Sequence, residues 1–208
     1  MDAGDLTEWL DELFTKLELG DSINLMGLSF GGWLASQYAL HHQDRLRGVV
    51  LAAPVATILP LPGEWAWRGI MGAFPPHKFF MTHFLINWMC QDLLKKGDKF
   101  SKRMIENWTN DALMAMKCFT FRMPITPTVL SDEELRSLKI PILFLAGENE
   151  VIYPADKAVH RIKTVAPWIN VEVIQNAGHD LTISQTRIVN SRATSFLLGI
   201  EAVMSGDQ

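Results

Sequence analysis

Apolar residues occur in two different rhythms along this chain. Short, nearly continuous apolar runs are typical of buried strands, whereas apolar residues spaced three and four apart are typical of one face of a helix. The strand-like runs lie at residues 23–26, 46–53, 140–146 and 169–174, and helical patterns lie at residues 5–19, 32–42, 154–166 and 181–199. Strands that alternate with helices predict a parallel sheet with helices on both faces.

The middle of the chain, residues 55–137, lacks strand-like alternation and is predicted to be helical. It holds four of the seven tryptophans, seven of the ten methionines and seven of the eleven phenylalanines. Helices are predicted at residues 64–73, 77–96, 98–107 and 109–118, and Ser131 with Glu134 forms a capping box for a short helix at 132–137. We therefore assign residues 1–54 and 138–208 to the core and residues 55–137 to a helical insertion.

One serine lies in a turn flanked by glycines. Residues 27–31 read GLSFG and lie between the first strand-like run and the helix that follows it. In this context the pattern G-x-S-x-G indicates an exposed nucleophile. Gly27 and Gly31 allow a sharp turn where a Cβ would collide with the strand or the helix, and the helix start brings free N–H groups close to the Ser29 oxygen. Ser29 is therefore a candidate nucleophile, with a purely structural glycine turn as the alternative.

An acid and a histidine follow later strands. Residues 147–154 (GENEVIYP) come directly after the strand-like run at 140–146, and residues 177–180 (AGHD) follow the run at 169–174. Glu150 is the candidate acid, with Glu148 and Asp156 as nearby alternatives. His179 is the candidate base, because histidine exchanges protons near neutral pH. Asp180 is interpreted as a loop or helix-cap residue.

The order serine, acid, histidine, each on a loop after a strand, resembles the α/β-hydrolase family. The resemblance covers essentially the whole chain and implies an α/β-hydrolase fold, a mostly parallel sheet flanked by helices. It implies that Ser29 is the nucleophile, His179 the base and Glu150 the acid, where many members carry aspartate. It also implies that the N–H of Phe30 lies in the oxyanion hole and that residues 55–137 form a helical cap over the serine.

The implied chemistry is that of a serine hydrolase of the carboxylesterase type. Serine becomes a strong nucleophile only when an imidazole can take its proton, and a carboxylate behind the imidazole fixes the tautomer. The aromatic and methionine content of residues 55–137 favours a small or apolar acyl or alkyl group. The same residues would serve a lipase, a carbon–carbon bond hydrolase or a cofactor-free haloperoxidase. A non-catalytic interaction domain is a further alternative. No metal or organic cofactor is expected.

The resemblance also shows where this chain departs from the family. Full-length members carry further strands before the segment at which this chain starts, and a loop among them supplies the second oxyanion donor. The chain is therefore expected to be N-terminally truncated relative to the family, with no candidate for that donor. The strand that precedes Ser29 would lie at the edge of the sheet, and an exposed apolar edge favours a homodimer.

Composition excludes several classes of partner. The formal net charge is −4 and no basic stripe is visible, so a nucleic-acid partner is not expected. The cysteines, Cys90 and Cys118, have no metal-ligand spacing and are predicted to be buried, reduced thiols, as in a cytoplasmic protein. No signal peptide and no apolar run of membrane-spanning length are recognised. The expected partner is a small-molecule ester.

Overall fold

The computed structural model describes residues 2–74, 76–119 and 125–205. These residues contain one sheet of four parallel strands in the order β1-β2-β3-β4. The strands are β1 (Ile23–Leu28), β2 (Leu46–Ala52), β3 (Ile142–Gly147) and β4 (Asn170–Ile174). The four strands predicted from the apolar runs are confirmed, with ends that differ by one or two residues.

Helices make up most of the remaining chain. The first are α1 (Ala3–Lys16), α2 (Phe30–His41) and α3 (Gly63–Ala73). They are followed by α4 (Lys78–Phe80), a π-helical segment (Met81–Ile86), α5 (Asn87–Met89), α6 (Gln91–Lys96), α7 (Lys99–Cys118) and α8 (Asp132–Ser137). The last are α9 (Ala155–Val165), α10 (Leu181–Ser184) and α11 (Thr186–Ser205).

Helices cover both faces of the two central strands. Val49 and Leu51 of β2 belong to a core cluster that includes side chains of α1, α2 and α9. The intervening residue, Val50, belongs to a second cluster with Val189 and Ala193 of α11. Both faces are apolar because a parallel strand in the middle of a sheet is buried on both sides. This arrangement confirms the predicted layers.

β1 lies at the edge of the sheet, as the sequence led us to expect. Among the described residues it pairs only with β2. α11 packs mainly on β2 and β3, and Met26 and Leu28 of β1 are 43% and 36% exposed. Such an edge presents unpaired backbone groups together with apolar side chains. A homodimer through this edge stays a prediction.

The described part of residues 55–137 is helical, and its helices differ from the prediction in two places. Residues 99–118 form the single helix α7 instead of two helices, because no glycine or proline interrupts them. The predicted helix 77–96 is interrupted at Cys90, which lies between the end of α5 and the start of α6 at Gln91. The division into a core and an inserted cap stays a prediction.

The two cysteines lie in different environments. Both are free thiols, and Cys90 is buried as predicted. Cys118 is exposed, so its predicted burial is wrong. It is the last residue of α7, and the buried residues of this helix, Ser101, Ile105 and Thr109, all lie in its first eleven residues. No helix in the described part of the chain is long and apolar enough to cross a membrane.

One arginine of α9 contacts residues near both ends of the 55–137 segment. Arg161 of α9 donates hydrogen bonds to the carbonyl oxygens of Ile58 and Leu130, at 2.5 and 2.6 Å. It also forms an ion pair with Asp132 at 2.7 Å. The guanidinium group therefore stabilises the points at which this segment leaves and rejoins the sheet.

Replacement of Arg161 by methionine should lower the free energy of unfolding by about 2 kcal/mol, because two partly buried carbonyl groups lose a charged donor. Arg136→Met is the matched control, since Arg136 also contacts Asp132 but is half exposed and 3.9 Å away. Its effect should stay below about 0.5 kcal/mol. Urea unfolding measures both, and equal losses would contradict this role of Arg161.

Candidate active site

Ser29 occupies a strained turn between β1 and α2. Its φ of 55° and ψ of −116° are unusual for a residue with a side chain. Three backbone hydrogen bonds hold it there. Its N–H donates to Ala52 at 3.0 Å, and its carbonyl accepts from Trp33 at 3.1 Å and Val55 at 3.2 Å. These hydrogen bonds fix the Ser29 backbone and therefore the direction of its Cα–Cβ bond.

The glycines around Ser29 do not contribute equally. A Cβ on Gly27 would lie 2.1 Å from the carbonyl oxygen of Gly31, so a close approach of backbones requires glycine at this position. A Cβ on Gly31 would meet nothing within 4 Å. The predicted steric need for Gly31 is therefore wrong. Gly32 is the second constrained position, because a Cβ there would lie 2.8 Å from the Cβ of Pro54. The constraint on Gly32 comes from Pro54, in the loop after β2. The sequence motif around Ser29 could not predict it, because Pro54 is distant in sequence.

The other two candidate residues lie on loops at the same end of the sheet. Glu150 follows β3 and His179 follows β4, and the carboxyl ends of parallel strands meet at one edge of the sheet. The two loops are bonded directly, because the N–H of Asn149 donates to the carbonyl of Ala177 at 2.8 Å. Strand order and this loop contact therefore bring the acid and the histidine to the end of the sheet where Ser29 lies.

The three side chains form a continuous hydrogen-bonded path. The Ser29 Oγ lies 2.9 Å from His179 Nε2. The His179 Nδ1 lies 3.1 and 3.0 Å from the two carboxylate oxygens of Glu150. A carboxylate only accepts, so Nδ1 carries the proton and Nε2 is left free to accept from the Ser29 hydroxyl. The structure thus brings together the serine, acid and histidine predicted from the sequence.

Burial and a backbone contact fix the acid in place. The Glu150 side chain is fully buried and that of His179 is 8% exposed. One Glu150 oxygen also accepts from the N–H of Ile152 at 2.9 Å. Burial raises the pKa of the nearby Tyr153 hydroxyl well above its usual value, and the charge of Glu150 adds to the rise. Tyr153 therefore stays neutral beside the acid.

The two alternative acids lie elsewhere. Glu148 is exposed and accepts a hydrogen bond from the N–H of Asn176 at 3.1 Å. Asp156 lies in the first turn of α9. Neither makes a hydrogen bond to His179 in the described contacts. The geometry therefore favours Glu150 over both.

The start of α2 faces the same position. Phe30 is the first residue of this helix, so its N–H has no acceptor within the helix. The helix dipole adds partial positive charge at this end. An oxygen that develops negative charge next to Ser29 would therefore meet a free donor and a favourable field.

A small cavity opens beside the serine. It has a volume of about 180 Å³, and it is lined by Leu28, Ser29, Met89, Trp108, His179 and Asp180. Met89 and Trp108 come from α5 and α7, so the helices between β2 and β3 form part of its wall. Among the described residues, no group of three or more histidine, cysteine or acidic side chains is placed to hold a metal ion.

Two buried carboxylates lie behind the histidine. Asp180 is 2% exposed and Asp92, on α6, is 5% exposed. Burial raises the pKa of Asp180 and the charge of Asp92 adds to the rise, while the hydrogen bond from the Leu93 N–H opposes it. Asp180 precedes α10, but its side chain accepts from Leu93 of α6 instead of capping α10. Sequence patterns did not identify Asp92, because nothing near it in the chain marks it as a neighbour of His179.

The difference between Gly27 and Gly31 is directly testable. Gly27→Ala should lower the free energy of unfolding by at least about 3 kcal/mol, because backbone atoms must move to admit the methyl group. Gly31→Ala should change it by no more than about 1 kcal/mol, since the site is open and alanine favours the helix. Urea unfolding measures both, and similar losses in the two variants would refute the assignment.

The raised pKa of Asp180 predicts a pH-dependent stability. The folded state holds this proton at a pH at which the unfolded state has lost it, so stability falls as pH rises above the usual aspartate value of 3.8. Asp180→Asn should therefore unfold at higher urea than wild type at pH 7, and the advantage should shrink toward pH 4.

Asp98→Asn is the control of opposite sign for this measurement. A hydrogen bond from the Ser101 backbone lowers the pKa of Asp98, so its charge stabilises the fold above 3.8. The variant should lose stability at pH 7 and approach wild type at low pH. If the difference in stability to urea between Asp180→Asn and wild type did not vary with pH, the raised pKa of Asp180 would be contradicted.

Comparisons with known proteins agree with this geometry. The model of the alpha/beta hydrolase family matches residues 1–191. The chain is 32% identical over 197 residues to a Bacillus subtilis protein named uncharacterized carboxylesterase nap, covering 92% of this chain and 62% of the relative. It is 28% identical over 199 residues to the carboxylesterase YbfK of the same organism, covering 94% of this chain and 64% of the relative.

Solved structures give the same result. The crystal structure of naproxen esterase from Bacillus subtilis superposes with a TM-score of 0.78 at 30% identity, over 93% of this chain and 66% of that protein. The chain thus spans just under two thirds of the length of these relatives. The predicted α/β-hydrolase fold is confirmed. With the family model matching more than nine tenths of its residues, this chain belongs to the alpha/beta hydrolase family.

Proposed function

We propose that this chain is a serine hydrolase that cleaves carboxylic esters through an acyl-enzyme on Ser29. The observation that carries the proposal is the unbroken hydrogen-bonded path from the Ser29 hydroxyl through His179 to Glu150. Each link has the partner that serine activation requires: a nucleophile, a base in contact with it, and an acid that orients the base.

In the first half of the reaction, Ser29 Oγ bonds to the ester carbonyl carbon while its proton moves to His179 Nε2. The carbonyl π electrons move to the oxygen, which becomes an oxyanion. When it collapses, the carbon–oxygen bond to the alcohol breaks and His179 returns the proton to the leaving alkoxide. Water then repeats the sequence on the acyl-enzyme, with His179 again as base and then as acid, and releases the carboxylic acid.

Glu150 would stabilise the imidazolium that forms in each half. Both of its oxygens lie within 3.1 Å of Nδ1, and its side chain has no contact with solvent. Water screens a buried ion pair poorly, so the developing positive charge on His179 is strongly favoured. The same contact keeps Nδ1 protonated in the resting state, which leaves Nε2 available to the serine.

The oxyanion donor that we assign is the N–H of Phe30. It lies directly after the nucleophile, at the start of α2 and without an intrahelical partner. A preformed donor of this kind typically contributes about 10²–10³ to the rate. The donor favours the transition state over the bound ester because negative charge develops on the carbonyl oxygen as the tetrahedral intermediate forms.

The cavity suggests the size of the group bound next to Ser29. At about 180 Å³ it is smaller than pockets for drug-sized ligands, which are roughly 300–1,000 Å³. Leu28, Met89 and Trp108 give it apolar walls. We therefore propose a small or apolar acyl or alkyl group, with residues 55–137 acting as a cap over it.

The relatives support an ester over the other chemistries of the family. The two named as carboxylesterases are 32% and 28% identical to this chain. A Pseudomonas putida protein named 2-hydroxy-6-oxo-2,4-heptadienoate hydrolase is 24% identical over 180 residues. The hydrogen bonds that join Ser29, His179 and Glu150 also favour catalysis over a non-catalytic interaction domain. Such a domain would not require these three side chains to be in contact.

Hydrolysis of short p-nitrophenyl esters tests the proposal. Ser29→Ala and His179→Ala should each lower kcat/KM by roughly 10³-fold or more, because both groups act in the same step. His160→Ala is the matched control, since His160 is an exposed histidine of α9. It should retain wild-type activity. If His179→Ala hydrolysed the esters as fast as wild type, the proposed mechanism would be wrong.

A further inference from the structure

The start of α6 touches both loops that carry the acid and the histidine. The Asp92 side chain accepts from the side-chain amide of Asn149 at 3.3 Å, and Asn149 directly precedes Glu150. The N–H of Leu93 donates to the carboxylate of Asp180 at 3.0 Å, and Asp180 directly follows His179. Two successive residues of one short helix therefore contact the immediate neighbours of Glu150 and His179.

The contact between α6 and the histidine loop is close-packed. A Cβ on Gly178 would lie 2.9 Å from the second Asp92 oxygen and 3.1 Å from the carbonyl oxygen of Asn149. Gly178 therefore allows α6, the acid loop and the histidine loop to meet at one point. The other end of α6 is also tied to this region, because Lys96 donates a hydrogen bond to the carbonyl of Ser184.

Asp180 provides the N-terminal capping group that α6 lacks in its own sequence. The N-cap residue of α6 is Cys90, which makes no capping hydrogen bond. A helix N-terminus leaves its first N–H groups without partners, and a capping side chain normally accepts from the third helical residue. Leu93 is that third residue, so Asp180 caps α6 from a distant part of the chain.

The burial of Asp92 and Asp180 close together is expected to lower the stability of the fold. Two aspartates are almost fully buried within one region. Lys95 forms an ion pair with one Asp92 oxygen at 3.2 Å, but the other Asp92 oxygen and one Asp180 oxygen have no hydrogen-bond partner in the described contacts. Burial of like charges lowers stability unless each charge is well compensated. Because this burial lowers stability, the contacts that the two aspartates make with Leu93 and Asn149 account for their presence.

We propose that Asp92 and Asp180 are positioning residues that use α6 to hold the Glu150 and His179 loops in hydrogen-bonding register with Ser29. We call the set of Asp92, Leu93 and Asp180 the α6 clasp. The proposal rests on the proposed function for its effect on rate, but not for its effect on loop geometry. A displacement of about 1 Å in a reacting group is enough to cost roughly 10²-fold in rate.

The first test is the rate at which a fluorescent fluorophosphonate labels Ser29. Asp180→Ala should slow labelling roughly tenfold to hundredfold, because Leu93 loses its acceptor and the histidine loop is released. Asp180→Asn should stay within about threefold of wild type, since its amide oxygen still accepts from Leu93. Equal slowing by alanine and asparagine, or wild-type labelling of a folded Asp180→Ala, would overturn the proposal.

Two further variants separate the clasp from general loss of stability. Asp98→Ala removes the N-cap of α7, where Asp98 accepts from Ser101 at 2.7 Å, but touches neither loop. It should destabilise the protein and leave the labelling rate unchanged. Asn149→Ala tests the Asp92 contact at an exposed residue, and it removes the side-chain amide while keeping the backbone N–H that donates to Ala177. It should slow labelling severalfold, and an unchanged rate would contradict the role of Asp92.

A spectroscopic measurement distinguishes failure of the clasp from failure of the proposed function. The proton on His179 Nδ1, hydrogen-bonded to Glu150, should give a downfield NMR resonance whether or not the protein is catalytic. The clasp predicts that this resonance is lost or shifted in Asp180→Ala and kept in Asp180→Asn. If wild type fails to label but the resonance behaves in this way, the hydrolase proposal is wrong and the clasp stands. If Asp180→Ala labels slowly with an unchanged resonance, the clasp is wrong.

Discussion

The strained backbone of Ser29 is the constraint on which the rest of the site depends. A residue with a side chain rarely combines a φ of 55° with a ψ of −116°, and such a conformation persists where the surroundings hold it. The bonds that hold Ser29 come from Ala52, Val55 and Trp33, which lie in β2, in the loop after it and in α2. Close packing of the Gly27 backbone against the start of α2 also holds Ser29 in this conformation.

None of these hydrogen bonds comes from the exposed side of β1. The strand lies at the edge of the sheet, with Met26 and Leu28 partly exposed. The hydrogen bonds that fix Ser29 nevertheless all point away from that edge, toward β2 and α2. The conformation of the serine is therefore set within the described residues, although the chain spans just under two thirds of the length of its relatives.

Much of this site could be predicted from the sequence, because its chemistry lies on short local motifs. A serine between glycines, an acid and a histidine each follow an apolar strand, and parallel strands bring their carboxyl ends together. Local periodicity likewise predicted the strands and most of the helices. The capping box at Ser131 and Glu134 was confirmed at hydrogen-bonding distance.

What could not be predicted depends on contacts between distant parts of the chain. Gly32 is constrained by Pro54, and Asp92 lies beside Gly178, yet neither pair is close in sequence. The cap of α6 comes from Asp180, 87 residues from Leu93. The environment that surrounds Ser29, His179 and Glu150 is therefore a property of tertiary packing, which local patterns do not record.

The central claim is that Ser29 is activated by His179, and mapping a covalent adduct tests it most directly. A fluorophosphonate reacts by forming a bond between the serine oxygen and phosphorus as fluoride leaves, with the proton passing to the base. Mass spectrometry of the digested protein should find the adduct on the peptide that contains Ser29, and His179→Ala should abolish it. An adduct on a different residue, or an equal yield in His179→Ala, would contradict the account.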